Sequence, residues 1–398
     1  MRAESLIVRG FGLRSKRLET LVPDEIDPRS PFFVGRRQGP YLEISGKRLV
    51  IFCSNDYLGL SYHPGVRGAV LEALEAFGAG SGGAPSTSGF TRLHHELSEA
   101  TAEFKHRESA LIFSSGYLAN LGALFALGDR DTLFLCDRLN HPSLLDGVKL
   151  SKGDHKIYEH LDLDHLESLL RNLKGYKTRI IVTDSVFSID GDVAPLPEIV
   201  ELAKKYKALT FFDEAHATGT VGEKGGGIED LFGARGSVDL LSGTFSKALG
   251  SQGGFVTASS RTTAYLKGKC RHYLYSTSLS PLCCAAALES LRILSAQPEL
   301  VTTMRSSFDF IRENLRRLGL SLPERPAPIL PVLFGDAGKT RKAAKELYLR
   351  GIFIAPLTPP SVPEAGSRLR ITTMATHTEA DLRILVGAFH EVLKELKD

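Results

Sequence analysis

Four short stretches bring together side chains that could share one piece of chemistry. Ser242-Gly243-Thr244-Phe245-Ser246-Lys247-Ala248-Leu249-Gly250 sets a lysine in a small, uncharged run. Such a lysine loses its proton more easily than one in water, and a free amine condenses with an aldehyde to an imine. Phe212-Asp213-Glu214-Ala215-His216 ends an apolar run on a carboxylate. A carboxylate leaving a buried strand needs a counter-charge or hydrogen bonds; a protonated ring nitrogen or a structural salt bridge would each serve. Asn140-His141-Pro142 puts an imidazole at a helix start, able to lie against a planar ring. Ser114-Ser115-Gly116-Tyr117 has the small residues that let backbone N–H groups at a helix start face a phosphate. Thr244 and Ser246 add hydroxyls. Singly these are a tight turn, a polar histidine, an ion pair and a surface lysine. Jointly they are the parts a pyridoxal-phosphate site requires.

The surrounding pattern can position them. Short apolar runs at Ala110–Phe113, Leu133–Cys136, Ile180–Asp184, Thr210–Asp213, Leu240–Gly243 and Gly254–Val256 read as buried strands. Helical spacing separates them at Leu118–Leu127, Leu163–Leu173 and Leu196–Tyr206. This alternation predicts an α/β fold with a mostly parallel sheet, whose ligands sit at the carboxyl ends of the strands. Residues 1–48 read as an N-terminal arm, 49–284 as a large α/β domain and 285–398 as a smaller α+β domain. A strand is expected over Leu49–Ser54, and helices over Val66–Phe77 and Leu93–Phe104. The smaller domain begins in one long helical region, about 282–319. A strand at Ile329–Leu333, a helix near 339–350, and strands near 352–355 and 368–372 follow. Thr378 and Asp381 form a capping box for a last helix.

Composition narrows the function. The 398 residues carry 49 Lys and Arg against 46 Asp and Glu, a net charge of +3, so no basic field argues for nucleic acid. No apolar run reaches the roughly 18 residues of a membrane span, and no signal peptide is read at the start. Five cysteines without a C-x-x-C fit a reducing, cytoplasmic setting without a disulfide framework or zinc ribbon. Gly78-Ala79-Gly80-Ser81-Gly82-Gly83 matches a dinucleotide fingerprint but follows a helix rather than a strand, so a nicotinamide oxidoreductase has little support. Gly335 to Thr340 ends like a phosphate loop with the wrong spacing. His94-His95-Glu96 lacks the second histidine of a zinc-protease helix, and no metal is expected.

From about residue 45 to 395 the chain resembles the α-oxoamine synthases, a branch of the fold-type I pyridoxal-phosphate enzymes. The resemblance rests on Ser54-Asn55-Asp56-Tyr57-Leu58-Gly59-Leu60, Val186-Phe187-Ser188-Ile189-Asp190-Gly191-Asp192, Asp213-Glu214-Ala215-His216 and Thr244 to Gly250. Tyr275-Ser276-Thr277-Ser278 and Arg368-Leu369-Arg370-Ile371-Thr372 complete it. It implies a decarboxylating condensation of an amino acid with an acyl thioester on pyridoxal 5'-phosphate. Catalytic roles fall to Lys247, which holds the cofactor as an imine, Asp213 at the ring nitrogen and His141 on the ring face. Ser188 and His216 would orient the ring hydroxyl, and Gly116, Tyr117, Thr244 and Ser246 would contact the phosphate. Ser276 and Thr277 would reach a neighbouring subunit's phosphate, giving a homodimer with shared sites. Arg370 would bind the amino-acid carboxylate, with Asn55, His141 and Thr372 also at the substrate.

Pro359-Pro360-Ser361-Val362-Pro363, leading into Arg368, favours L-alanine and a pimeloyl thioester within the branch. Glycine C-acetyltransferases, 5-aminolevulinate synthases and serine palmitoyltransferases share the remaining motifs. A non-catalytic partner subunit on the same fold is the rival of another class, but such subunits typically lack the lysine that stands here at 247. The chain departs from the branch at Gly226, where arginine is common, at Pro142, where alanine is usual, and at Asp184, where many relatives have glutamate. Arg29, Arg36 and Arg37 in the arm are open candidates for a further carboxylate contact.

Overall fold

The computed structural model describes residues 34–324 and 327–396. The first described strands, β1 (Val34–Gln38), β2 (Tyr41–Ile44) and β3 (Lys47–Ile51), form an antiparallel meander. β3 does not join the large sheet. It pairs in parallel with Ile352–Phe353 near the other end of the chain.

The large sheet has seven strands: β4 (Ser109–Phe113), β5 (Thr132–Asp137), β6 (Asp154–Tyr158), β7 (Thr178–Asp184), β8 (Leu209–Asp213), β9 (Leu240–Thr244) and β10 (Gly254–Ala258). Their order is β4-β10-β9-β8-β7-β5-β6. β10 is antiparallel to both neighbours and the other pairs are parallel. Six of the strands lie where the apolar runs place them. β6 escapes the sequence pattern because Asp154-His155-Lys156-Ile157 is exposed at the sheet edge, where charge replaces apolar alternation.

The two-residue period of a strand divides the inner strands between two cores. Phe134, Cys136, Ile180, Val182 and Phe211 face the helices Gly116–Leu127 and Pro142–Leu150. Leu133, Leu135, Ile181 and Phe212 face the helices Leu163–Asn172 and Leu196–Tyr206. Because both faces are covered, these strands are apolar throughout.

The expected single helical region at 282–319 is two helices, Pro281–Ala296 and Glu299–Arg317. Pro298 lies between them; it has no N–H to give to the preceding turn and clashes with it. The C-terminal sheet is β11 (Ile329–Leu333), β13 (Pro356–Leu357) and β14 (Arg368–Thr372), with β14 central; Ile352–Phe353 is β12. Leu330, Val332, Leu369 and Ile371 pack against the helices Glu299–Arg317, Ala337–Leu349 and Glu379–Glu395. The Thr378–Asp381 capping box forms as expected.

Candidate active site

The carboxyl ends of β4, β5, β7, β8 and β9 open onto one cavity of about 250 Å³. Its wall includes Gly116, His141, Asp184, Asp213, His216 and Lys247. Parallel strands end side by side, so residues more than 100 positions apart converge there.

The helix Gly116–Leu127 points its N-terminus into the cavity, with Ser115 as N-cap accepting from the Leu118 N–H at 3.1 Å. The first-turn N–H groups of such a helix have no partner within the helix and face anions favourably. Space is tight: a Cβ on Gly116 would lie 3.0 Å from the Thr244 Cβ. Ser246 lies beside Thr244, whose hydroxyl proton goes to the Gly253 carbonyl at 2.7 Å. Ser246 is therefore the donor to the Thr244 oxygen, a bond its hydroxyl can exchange for an anion.

Lys247 Nζ is 2.7 Å from His216 Nε2. Burial pushes the lysine down to about 8; Asp213 and Asp184 pull it back up, and Arg370 lowers it further. Burial, then the Lys247 and Arg370 cations, hold His216 well below the usual histidine range. His216 Nδ1 lies 2.7 Å from the Tyr57 hydroxyl. Arg370 donates from Nη2 to that hydroxyl and from Nη1 to Asn55 Oδ1, each at 3.2 Å, and from Nε to the Ser188 carbonyl.

Asp213 is buried at the end of β8 and doubly held. Its Oδ2 accepts from Asn120 Nδ2 at 2.6 Å and its Oδ1 from the Ala215 N–H at 2.8 Å. Asn120 also donates to Ser143 Oγ at 2.9 Å. Ser143 in turn is 2.7 Å from His141 Nδ1, and the His141 N–H donates to Asp184 Oδ2 at 2.7 Å. Burial and the nearby Asp213 raise Asp184 well above the usual carboxylate range. Burial lowers His141 despite Asp213.

The structure thus brings Gly116, Tyr117, His141, Asp213, His216, Thr244, Ser246 and Lys247 to one cavity. Asn55 and Arg370 join it through Tyr57. Ser188 meets this group through its backbone carbonyl. Thr372 is fully buried and spends its hydroxyl on the Ser54 carbonyl at 2.7 Å, bracing β14 against the Asn55 segment. Ser276 and Thr277 lie outside this cavity. Of the arm arginines, Arg29 lies outside the described residues and Arg36 is exposed. Arg37 is committed to Asp56 Oδ2 at 3.0 Å and Ser54 Oγ at 3.2 Å.

Asn120, Ser143 and Tyr57 receive no role from the sequence. A signal existed for Asn120, the lone amide in the apolar helix Gly-Tyr-Leu-Ala-Asn-Leu-Gly-Ala-Leu-Phe-Ala-Leu. An amide so surrounded must find a buried partner. Among the described residues no group of three or more His, Cys, Asp or Glu is placed to hold a metal ion.

Residues 47–389 match the family model of class I and II aminotransferases. The chain belongs to that family. Within it, the α-oxoamine synthase branch read from the motifs holds. An 8-amino-7-oxononanoate synthase from Thermoanaerobacter pseudethanolicus is 40% identical over 90% of this chain and 91% of its own. Another from Thermosipho melanesiensis is 40% identical over 90% and 92%. Among solved structures, a serine palmitoyltransferase with pyridoxal phosphate superposes with a TM-score of 0.89 at 30% identity, covering 92% of this chain and 93% of that one. The fold is that of the fold-type I transferases. The cavity's donor set suits pyridoxal phosphate: one amine, a fixed carboxylate, an imidazole, a helix N-terminus and a serine hydroxyl.

Proposed function

We propose that the chain condenses L-alanine with a pimeloyl thioester on pyridoxal 5'-phosphate, releasing carbon dioxide and the thiol to give 8-amino-7-oxononanoate. The observation that carries this reading is the pairing of Lys247 and Asp213 across one cavity, with the Arg370 guanidinium three hydrogen bonds from the lysine, through His216 and Tyr57. When bound, the cofactor supplies an electron sink for the amino acid's α-carbon.

The chain's own residues do the rest. Lys247, lowered to about 8, has a substantial amine fraction near neutral pH and can attach to the aldehyde or take a proton. His216 Nε2 accepts a hydrogen bond from the lysine once it is protonated. Asp213, locked by Asn120 and the Ala215 N–H, is the carboxylate that would face the ring nitrogen. The first turn of Gly116–Leu127, with Ser246, would hold the phosphate, and His141 would cover the ring. Arg370 keeps two N–H groups beyond its three protein contacts, enough for a carboxylate fork.

Ser276 is half-buried and Thr277 exposed, and both lie away from the cavity of their own chain. This supports a homodimer in which they serve the partner's phosphate. No helix among the described residues is long and apolar enough to cross a membrane, which suits the cytoplasmic setting we assign. Incubating the loaded enzyme with L-alanine and pimeloyl-CoA should release thiol and carbon dioxide in equal amounts. Thiol release without carbon dioxide would reject the condensation.

A further inference from the structure

No role falls to Tyr57 from the sequence, yet its fully buried hydroxyl is the meeting point of the site. It lies 2.7 Å from His216 Nδ1, 3.2 Å from Arg370 Nη2 and 3.3 Å from Asn55 Oδ1. We propose that Tyr57 is a positioning residue whose hydroxyl lets His216 match the protonation state of Lys247 and ties that state to the Arg370 guanidinium. The substrate side of this proposal rests on the reading of Arg370 as the carboxylate clamp.

The hydrogen-bond chemistry admits two arrangements. Arg370 can only donate, and Asn55 Oδ1 can only accept. When Lys247 is an ammonium it donates to His216, so Nε2 must be bare and Nδ1 must carry the ring proton. That proton goes to the Tyr57 oxygen, and the hydroxyl proton turns to Asn55. When Lys247 is an amine, which can accept as well as donate, Nε2–H can donate to its lone pair; Nδ1 is then bare and the hydroxyl proton turns to Nδ1. Only a group that both donates and accepts satisfies both states. His216 itself stays singly protonated, because burial, Lys247, Arg370 and His141 all oppose a second proton. The other charged groups facing the lysine are Asp213 and Asp184, which favour its ammonium form.

Phenylalanine at 57 keeps the ring that packs in the Leu58, Phe245 and Leu249 core but offers no acceptor. The ammonium state then strands a buried N–H, the costlier orphan, while the amine state strands only a lone pair. Tyr57→Phe should therefore disfavour the ammonium.

The test uses the full chain stripped of cofactor, with Lys247 acetylated competitively across pH and its peptide quantified by mass spectrometry. The wild-type midpoint is expected near 8, and Tyr57→Phe should lower it by about one unit, roughly tenfold in the proton equilibrium. In a His216→Phe background, Tyr57→Phe should move it no further. An unchanged or raised midpoint, or an equal fall without His216, would overturn the proposal. A readout on the wild type alone is the nitrogen-15 spectrum of histidine-labelled stripped protein. Nδ1 of His216 should carry the proton below the lysine midpoint and lose it above; one fixed tautomer would also overturn it. Neither measurement uses substrate, so failure with alanine and pimeloyl thioester would reject the reaction and leave the role of Tyr57 standing. In the loaded enzyme Tyr57→Phe should raise the alanine KM several-fold as Nη2 loses its partner; an unchanged KM would break the link to Arg370.

Discussion

Lys247→Ala removes the one amine in the cavity wall. The variant should fold, show no visible imine absorption with pyridoxal phosphate and lose turnover; turnover at the wild-type rate would contradict the assignment. Asp213→Asn should retain cofactor and lose most activity, because an amide carries no charge for the ring nitrogen. Asn120→Ala should act through Asp213, lowering kcat by roughly tenfold to a hundredfold, as removing an outer hydrogen-bonding partner commonly does. Full activity in Asn120→Ala would make the 2.6 Å contact to Asp213 merely structural. Lys247, Asp213, His141 and Gly116 were legible in the sequence because each lies at, or a few residues beyond, the carboxyl end of an apolar strand. Tyr57 was not, and the lone amide of Asn120 in its apolar helix signals a buried partner without naming it, because the partners at 216, 370 and 213 are reached only through the fold.

The segment Val186–Asp192 is the element that ties the two halves of the site. Arg370 holds its Ser188 carbonyl, Arg368 its Asp190 carboxylate, and His160 Nε2 its Asp192 carboxylate at 3.3 Å. Strand alternation in β14 puts both arginines on one side, but of the two only Arg370 reaches Asn55 and Tyr57. Arg370→Ala should raise the alanine KM by about 1.5–3 kcal/mol, roughly tenfold to a hundredfold. Arg368→Ala should raise it less; the reverse order would misplace the clamp.

His160 also bonds Asp137 Oδ1 at 2.9 Å, at the end of the strand leading to His141. Burial alone would lower His160, but hydrogen bonds to Asp137 and Asp192 outweigh it and push it up to about 9. A folded value above the unfolded one, near 6.5, stabilises the protein fully below about 6.5 and loses that contribution as pH rises through about 9. The unfolding midpoint should therefore fall between pH 7 and 10 more steeply in wild type than in His160→Gln. Parallel curves would show the bridge to be without consequence.

At the scale of the whole molecule, a buried ion pair locks the large sheet to the loop Gly222-Glu223-Lys224-Gly225-Gly226-Gly227. Lys105, just past the helix Arg92–Phe104, meets Glu214, next to Asp213, and donates to the Gly226 carbonyl at 2.6 Å. Glu214 also accepts from the Ile228 N–H at 2.8 Å. Lys105→Met leaves a buried carboxylate unpaired and should cost about 3–5 kcal/mol in urea unfolding. A loss under about 1 kcal/mol would place the pair among exposed bridges. The large sheet was readable because its inner strands are covered on both faces. The strand expected over Leu49–Ser54 forms as β3, but its partner was not readable, because a short apolar run does not say which sheet it joins and the contact to Ile352–Phe353 spans about 300 residues.

The reaction itself is tested most directly by kcat/KM for two substrate pairs on the loaded enzyme: L-alanine with a pimeloyl thioester, and glycine with acetyl-CoA. The account expects the first pair to be preferred by tenfold or more, about 1.4 kcal/mol of transition-state binding. A tenfold preference for glycine and acetyl-CoA would contradict the substrate assignment, and no turnover with any amino acid and acyl thioester would contradict the condensation.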